Sequence, residues 1–237
     1  MIRMLFNNSG DVVETLLSFL AVILAALGAI ILHENAHGVV ALLCGDTTAK
    51  DNGRITLNPA KHFNLPGFLM FVVIGFGWAQ PVPINPYNFK HKRLDYFLVA
   101  IAGVVTNLIL AFICLGLLAA LFSIIEGATT TSKGLYYFIY FIEYMFFYGA
   151  VINLTLMAFN ILPIFPLDGF RVIESIAPNS AYVSFMRKYG QYILLGFIIL
   201  SYALGYVNSY LDVFSLYIQA VVRGILNPIL SSFGVVF

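Results

Sequence analysis

The sequence alternates long apolar stretches with short polar segments. Four apolar stretches approach or exceed the length of a membrane helix: residues 16–32, 94–125, 135–165 and 189–207. A helix of about 20 apolar residues spans the hydrocarbon core of a bilayer. The pattern therefore predicts an all-α polytopic membrane protein with about five to six transmembrane helices.

Two parts of this pattern leave alternatives open. The first apolar stretch resumes at residues 38–44 after a polar interruption, which fits one long helix or a pair of helices. The tail, residues 213–237, is apolar but contains Arg223 and Pro228. It fits either a last transmembrane helix or an amphipathic helix that lies on the membrane surface.

The segment near residues 45–86 has a different character. Residues 45–66 are rich in turn-forming types, which predicts a surface loop or hairpin with a short strand around residues 54–57. Residues 67–79 are apolar but too few to cross, so we expect a re-entrant or interfacial piece. Prolines follow at 81, 83 and 86 and exclude a regular helix there.

Composition supports a membrane protein and excludes some partners. The chain is 61% hydrophobic and 10% charged, whereas a soluble domain carries about 25% charged residues. Its formal net charge is +1, and no basic cluster is longer than residues 91–93, so we expect no nucleic-acid partner. Cys44 and Cys114 each lie in or beside an apolar run, which is typical of buried free thiols.

The organisation is that of one domain. We expect residues 1–237 to form a single intramembrane unit, with a core at 12–175 and C-terminal helices at 187–237. The first residues lack a small-residue cleavage site before the polar interruption, so no removable signal peptide is predicted.

The polar interruption in the first helix carries the strongest chemical signal. It reads His33-Glu34-Asn35-Ala36-His37. Residues i and i+4 share one helical face, so His33 and His37 can bind one zinc ion, and Glu34 can reach a water on that ion. Ionisable groups at membrane depth are costly and usually mark a functional site. A polar helix end at the membrane interface is the simpler alternative.

A catalytic zinc site needs a third protein ligand, and Asp168 is the best candidate. It follows Pro163 and Pro166 and precedes Gly169, so irregular backbone carries a carboxylate into or beside the membrane. Such backbone is tolerated at depth where it is buried in protein or lines a watery cavity. The alternative is an interfacial turn in which Asp168 caps the next helix.

Four motifs in order give the chain a family resemblance. It resembles the site-2 protease family of intramembrane zinc metalloproteases, in the compact bacterial branch without PDZ or CBS domains. The motifs are His33-Glu34-Asn35-Ala36-His37, the loop Gly53-Arg54-Ile55-Thr56-Leu57-Asn58-Pro59, the segment Gly77-Trp78-Ala79-Gln80-Pro81-Val82-Pro83-Ile84-Asn85-Pro86, and residues Asn160 to Gly169.

The resemblance implies a role for each motif residue. It implies that His33, His37 and Asp168 bind one Zn²⁺ ion, that Glu34 is the general base, and that Asn160 helps to hold the substrate or the oxyanion. The family commonly has Ala-Gly-Pro ahead of an asparagine in the next span, whereas this chain has Ala102-Gly103-Val104-Val105-Thr106-Asn107.

Charged loops predict the orientation in the membrane. The loop at residues 80–94 carries Lys90, Lys92 and Arg93 and no acid, while the connection at 123–134 carries Glu126 and Lys133. The excess of Lys and Arg marks the cytoplasmic side. We therefore expect a multi-pass protein of the bacterial cytoplasmic membrane, with its active site toward the cytoplasmic side.

Together these features predict an intramembrane zinc metalloendopeptidase. Its expected substrates are other membrane proteins, which it would cut at peptide bonds within or beside their transmembrane segments. We expect the protein to work within the lipid bilayer. The alternative is a metal-binding membrane protein that transports or stores zinc without hydrolysis. The sequence does not determine the oligomeric state.

Overall fold

The computed structural model describes residues 11–67, 69, 79–125 and 132–232. Five of its helices are long and apolar enough to cross a membrane: α1 (Val12–Leu43), α4 (Lys92–Ile125), α5 (Lys133–Asn160), α7 (Ala181–Val207) and α8 (Val213–Ser232). Three shorter helices, α2 (Thr48–Asp51), α3 (Pro59–His62) and α6 (Asp168–Ile176), lie in the connections. The all-α polytopic architecture predicted from the sequence is confirmed.

The first apolar stretch forms one helix across its polar interruption. Helix α1 begins at the N-cap Asp11, whose carboxylate accepts a hydrogen bond from the Val13 N–H at 2.8 Å. It ends before Gly45, which has a φ of +105° that favours glycine. The His33–His37 motif therefore lies within a continuous helix and not between two.

The core is built from α1, α4 and α5, which pack against one another. Helix α1 contributes small buried residues at one-turn intervals, Ala21, Ala25 and Ala29, which let the neighbouring backbones approach closely. Helix α8 packs against α5 and α7 and adds its apolar face to the same bundle. The shared cluster contains Ala111, Leu115, Leu118, Ala150, Leu154, Met157, Val222, Leu226 and Leu230.

The outer surface of the bundle is apolar, as lipid contact requires. Leu20, Leu24, Ile109, Phe112 and Ile113 are all exposed on the spanning helices. Large exposed apolar patches mark interaction surfaces in soluble proteins. On the spanning helices of a membrane protein, such a surface is suited to contact with lipid. The helices α1, α4 and α5 run up and down in succession, which brings residues 45–67, 79–91 and 161–180 to the same end.

The region at residues 45–66 is helical and turned, without the predicted strand. Residues 54–57 form a bend between α2 and α3, so the expectation of a short strand there was wrong. Its backbone is held by side chains instead: the amide of Asn35 donates to the Thr56 carbonyl at 2.7 Å. The expected re-entrant piece at 67–79 lies mostly outside the described residues.

The buried Asp46 joins the end of α1 to residues 80–86, which we call the proline-rich segment. Its carboxylate accepts hydrogen bonds from the Asn85 N–H at 2.7 Å, the Asn88 side chain at 2.8 Å and the Thr48 N–H and hydroxyl. Burial raises the pKa of the Asp46 carboxyl, but these hydrogen bonds outweigh burial and hold the pKa below its usual range. Asp46 therefore stays ionised and fixes this segment beside α1.

Candidate metal centre

Helix α1 presents His33 and His37 to the same point. Their Nε2 atoms lie 3.2 Å apart, and their rings meet edge to face with centroids separated by 4.7 Å. Both side chains are buried. The one-turn spacing therefore directs two imidazole nitrogens to one position, as predicted from the sequence.

Asp168 reaches this position from the other half of the chain. It is the first residue of α6, and its Oδ2 lies 3.2 Å from the Nε2 atom of His33 and 3.2 Å from that of His37. Helix α6 packs against α4, which in turn packs against α1. The three candidate ligands predicted from the sequence therefore converge, with one donor atom each.

Helix α4 fixes the orientation of both imidazoles. The His33 Nδ1 lies 3.1 Å from the Asn107 Oδ1, and the His37 Nδ1 lies 2.7 Å from the Val99 carbonyl oxygen. Both partners are acceptors, so each Nδ1 carries the proton and donates. Each Nε2 is then left with its lone pair, in the arrangement by which proteins commonly orient metal-binding histidines.

The resulting donor set fits a metal ion. Three acceptor atoms face one another in a buried site, and the Asp168 Oδ2 has no hydrogen-bond donor. Buried acceptors without a donor or cation are costly. Zinc ligands at 2.0–2.1 Å in tetrahedral geometry lie about 3.3 Å from one another. The three separations of 3.2 Å match that spacing.

Gly103 on α4 makes room for the two imidazoles. A Cβ atom at this position would lie 2.3 Å from the His33 Cε1 and 2.5 Å from the His37 Nε2. Such separations are well below van der Waals contact, so a larger residue would displace the histidines. The absence of a side chain at 103 is therefore part of the site.

Glu34 points to the proline-rich segment beside this centre. Its Oε2 accepts a hydrogen bond from the Val82 N–H at 2.9 Å. Val82 lies between Pro81 and Pro83, which carry no N–H, so Val82 is the one backbone donor among these three residues. Arg54 holds the same segment from the other side by donating to the Gln80 carbonyl at 2.7 Å.

Comparison with known proteins agrees with this geometry. The sequence profile of peptidase family M50 matches residues 20–204, which includes all three candidate ligands. The chain belongs to peptidase family M50. This confirms the family resemblance deduced from the four motifs.

Individual relatives carry names that describe zinc metalloproteases. A Bacillus subtilis protein named "Putative zinc metalloprotease YwhC" is 46% identical over 148 residues, which are 62% of this chain and 64% of that protein. Proteins named "Putative zinc metalloprotease Rip2" are 27% identical to this chain in Mycobacterium tuberculosis and 29% identical in Mycolicibacterium smegmatis, each over 66% of this chain. This chain spans less than two thirds of the length of these relatives. No solved structure matches the chain.

Within the described part of the chain, no hydrogen bond connects Asn160 to His33, His37 or Asp168. It is the last residue of α5, and its side-chain amide donates to the Leu156 carbonyl one turn earlier at 3.0 Å. Its role in holding the substrate or the oxyanion stays a prediction.

His62 lies in the loop at residues 45–66 and is buried. Its Nε2 lies 2.9 Å from the Thr56 carbonyl oxygen. The loop folds back against the proline-rich segment, where the Gln80 N–H donates to the His62 carbonyl at 3.0 Å. His91, the other loop histidine, is exposed.

Sequence reasoning missed the residues that support the centre. Asn107 lies within an apolar span, and in the structure its Oδ1 is 3.1 Å from the His33 Nδ1. Its signal was available, because a buried asparagine in an apolar span needs a partner. The contribution of the Val82 N–H had no signal, since a backbone amide is common to almost every residue.

Proposed function

We propose that this protein is an intramembrane zinc metalloendopeptidase that hydrolyses peptide bonds within or beside transmembrane segments of other membrane proteins. The observation that carries the proposal is the convergence of His33, His37 and Asp168, with Glu34 beside them, inside a bundle of apolar helices. Membership of the M50 family supports it.

Each residue of the centre has a defined task in this reaction. His33, His37 and Asp168 would hold the zinc, and Asn107 and the Val99 carbonyl would keep the imidazoles oriented. When bound, zinc lowers the pKa of a water to about 7 and polarises the scissile carbonyl. Glu34 would act as the general base that accepts a proton from the attacking water. The Val82 N–H, which donates to the Glu34 Oε2, would hold this carboxylate in place.

The depth of the site fits substrates that cross the membrane. At a rise of 1.5 Å per residue, His33 lies roughly 15 Å and His37 roughly 9 Å before the last residue of α1, Leu43. The centre is therefore below the level of the loops and near one membrane face. A substrate helix must unwind there, because its amides are otherwise closed by helical hydrogen bonds.

Zinc transport is less well supported. Transport requires several ligand stations along a path, whereas the described ranges contain one group of three or more His, Cys, Asp or Glu residues able to hold a metal. That group is the centre itself.

Removal and return of zinc test the proposed activity. We expect purified protein in liposomes to cut a co-reconstituted transmembrane substrate, to lose at least 100-fold in rate after chelation, and to regain that rate with Zn²⁺ but not Mg²⁺. Histidine nitrogen suits zinc and magnesium prefers oxygen ligands, which is the reason for the difference. Cleavage that continued after the zinc content had fallen below about a tenth of an ion per chain would contradict the proposal.

The site is proposed to face the cytoplasm of a bacterial cell. Lys92 begins α4 and Lys133 begins α5, so a membrane crossing separates them. In a variant with Cys44 and Cys114 replaced, we expect Lys92→Cys to react with a membrane-impermeant thiol reagent in inverted vesicles, and Lys133→Cys to react in intact cells. The reverse pattern would place the centre near the outer face.

A further inference from the structure

A cavity of about 140 Å³ lies beside the metal centre. It is bounded by the proline-rich segment, the first turns of α4 and the helix α6. Its lining residues are Val82, Ile84, Pro86, Tyr96, Val99 and Arg171.

Three residues that line the cavity also contact residues of the candidate metal centre. The Val82 N–H donates to Glu34, and the Val99 carbonyl accepts from the His37 Nδ1. The guanidinium of Arg171 lies 3.7 Å from the Asp168 Oδ1. The cavity therefore borders the general base and two candidate metal ligands. A peptide bond placed between these groups has its neighbouring side chains within reach of the cavity.

Arg171 is the one charged residue among those that line the cavity. The Tyr96 hydroxyl donates to Glu174 at 2.5 Å, so Tyr96 offers its ring to the cavity and not its hydroxyl. The Arg171 side chain is 35% exposed, and within the described residues its guanidinium makes no hydrogen bond. Its distance to Asp168 is longer than a hydrogen bond. Arg171 thus has N–H donors available to a ligand in the cavity.

We propose that this cavity is the subsite for a side chain next to the scissile bond, and that Arg171 makes it select glutamate. This inference rests on the proposed protease function. An apolar cavity of about 150 Å³ holds a benzene molecule, so a glutamate side chain fits the available volume. Its methylene groups lie against Val82, Ile84 and Val99, and its carboxylate reaches Arg171. Arginine and carboxylate form strong, often bidentate hydrogen bonds.

The proposed specificity is tested by comparing substrates within one enzyme variant. Mass spectrometry first maps the cut in a synthetic transmembrane substrate, and each flanking position is then varied among Glu, Gln, Leu and Lys. At one of the two positions, we expect kcat/KM of the parent to be at least 10-fold higher for Glu than for Leu. Arg171→Met should reduce this ratio to about 1, and Arg171→Lys should restore part of it.

The ratio separates specificity from general damage. A variant that loses zinc or folds poorly loses rate on both substrates, and the Glu-to-Leu ratio is unaffected. Arg187→Met is the matched control, because Arg187 pairs with Glu174 on α6 but does not line the cavity. It should keep the parent ratio. An equal ratio in the parent and Arg171→Met at both flanking positions would overturn the proposal.

Measurements of peptide binding distinguish an error in the proposed subsite from an error in the proposed protease function. If the parent cuts the substrates without a preference for Glu, the subsite is wrong and the protease function stands. If the parent cuts none of them, the protease function is wrong, and affinities of the same peptides for Glu34→Gln protein decide on the cavity. We expect the Glu peptide to bind at least fivefold tighter than the Leu peptide, and Arg171→Met to remove this difference. Equal affinities would overturn the subsite.

Discussion

Replacement of Asp168 by alanine is expected to remove the zinc ion from the purified protein, and His33→Ala is expected to do the same. Each change deletes one of three donor atoms that lie 3.2 Å from one another. Two protein ligands do not complete a zinc site of this type. The measurement is zinc per chain by mass spectrometry on protein that elutes as a single folded species. We expect about one ion in the parent and less than about 0.1 in either variant.

Two further variants make this test sharper. Asp212→Ala is the control, because Asp212 bonds Ser201 at the connection between α7 and α8 and should leave the zinc content unchanged. Asn107→Leu should weaken zinc affinity by about 10- to 100-fold, because the second partner of a metal-binding histidine orients its ring. Full zinc content in both His33→Ala and Asp168→Ala would show that the ligand assignment is wrong.

Glu34→Gln is expected to keep the zinc and lose cleavage. General acid–base catalysis contributes about 10²- to 10⁴-fold, so kcat should fall by that range. The glutamine oxygen can still accept the Val82 N–H, and the size of the side chain is unchanged. What is lost is a carboxylate that can take the proton of the attacking water. The measurements are kcat on a transmembrane substrate and zinc content of the same sample.

The pairing of these two measurements is decisive for Glu34. A fall in both zinc and activity would indicate a damaged centre, and the loss of cleavage would then not identify Glu34 as the general base. Activity near that of the parent, with full zinc, would remove Glu34 as the general base.

The sequence predicted the spanning helices well because their lengths follow from the thickness of the bilayer. The stretch at 94–125 became α4, Lys92–Ile125, and the tail left open at 213–237 contains α8, a candidate span. The prediction at 135–165 ran past the end of α5 at Asn160. Apolar residues continue there, but Pro163 and Pro166 follow and helical hydrogen bonding stops.

The candidate metal centre could also be predicted in part, because of helical geometry and not because of the thickness of the bilayer. The spacing of His33 and His37 fixes their common face, so their convergence follows from helical geometry alone. The approach of Asp168 depends on how α6 packs against α4, which no local pattern reveals. The same is true of the Val82 N–H and of Gly103, whose roles appear when separate helices meet. The predicted strand at 54–57 failed because the loop bonds to side chains of α1 and not to another strand.

The division of the metal centre between α1 and α6 also delays its appearance during synthesis. The ribosome makes the two histidines early and the aspartate late, with the helices α4 and α5 between them. At about 5–20 residues per second, the interval is on the order of ten seconds. With the ligand set proposed above, the emerging chain lacks its third ligand throughout this interval. The proposed hydrolysis would therefore begin only after the bundle is assembled.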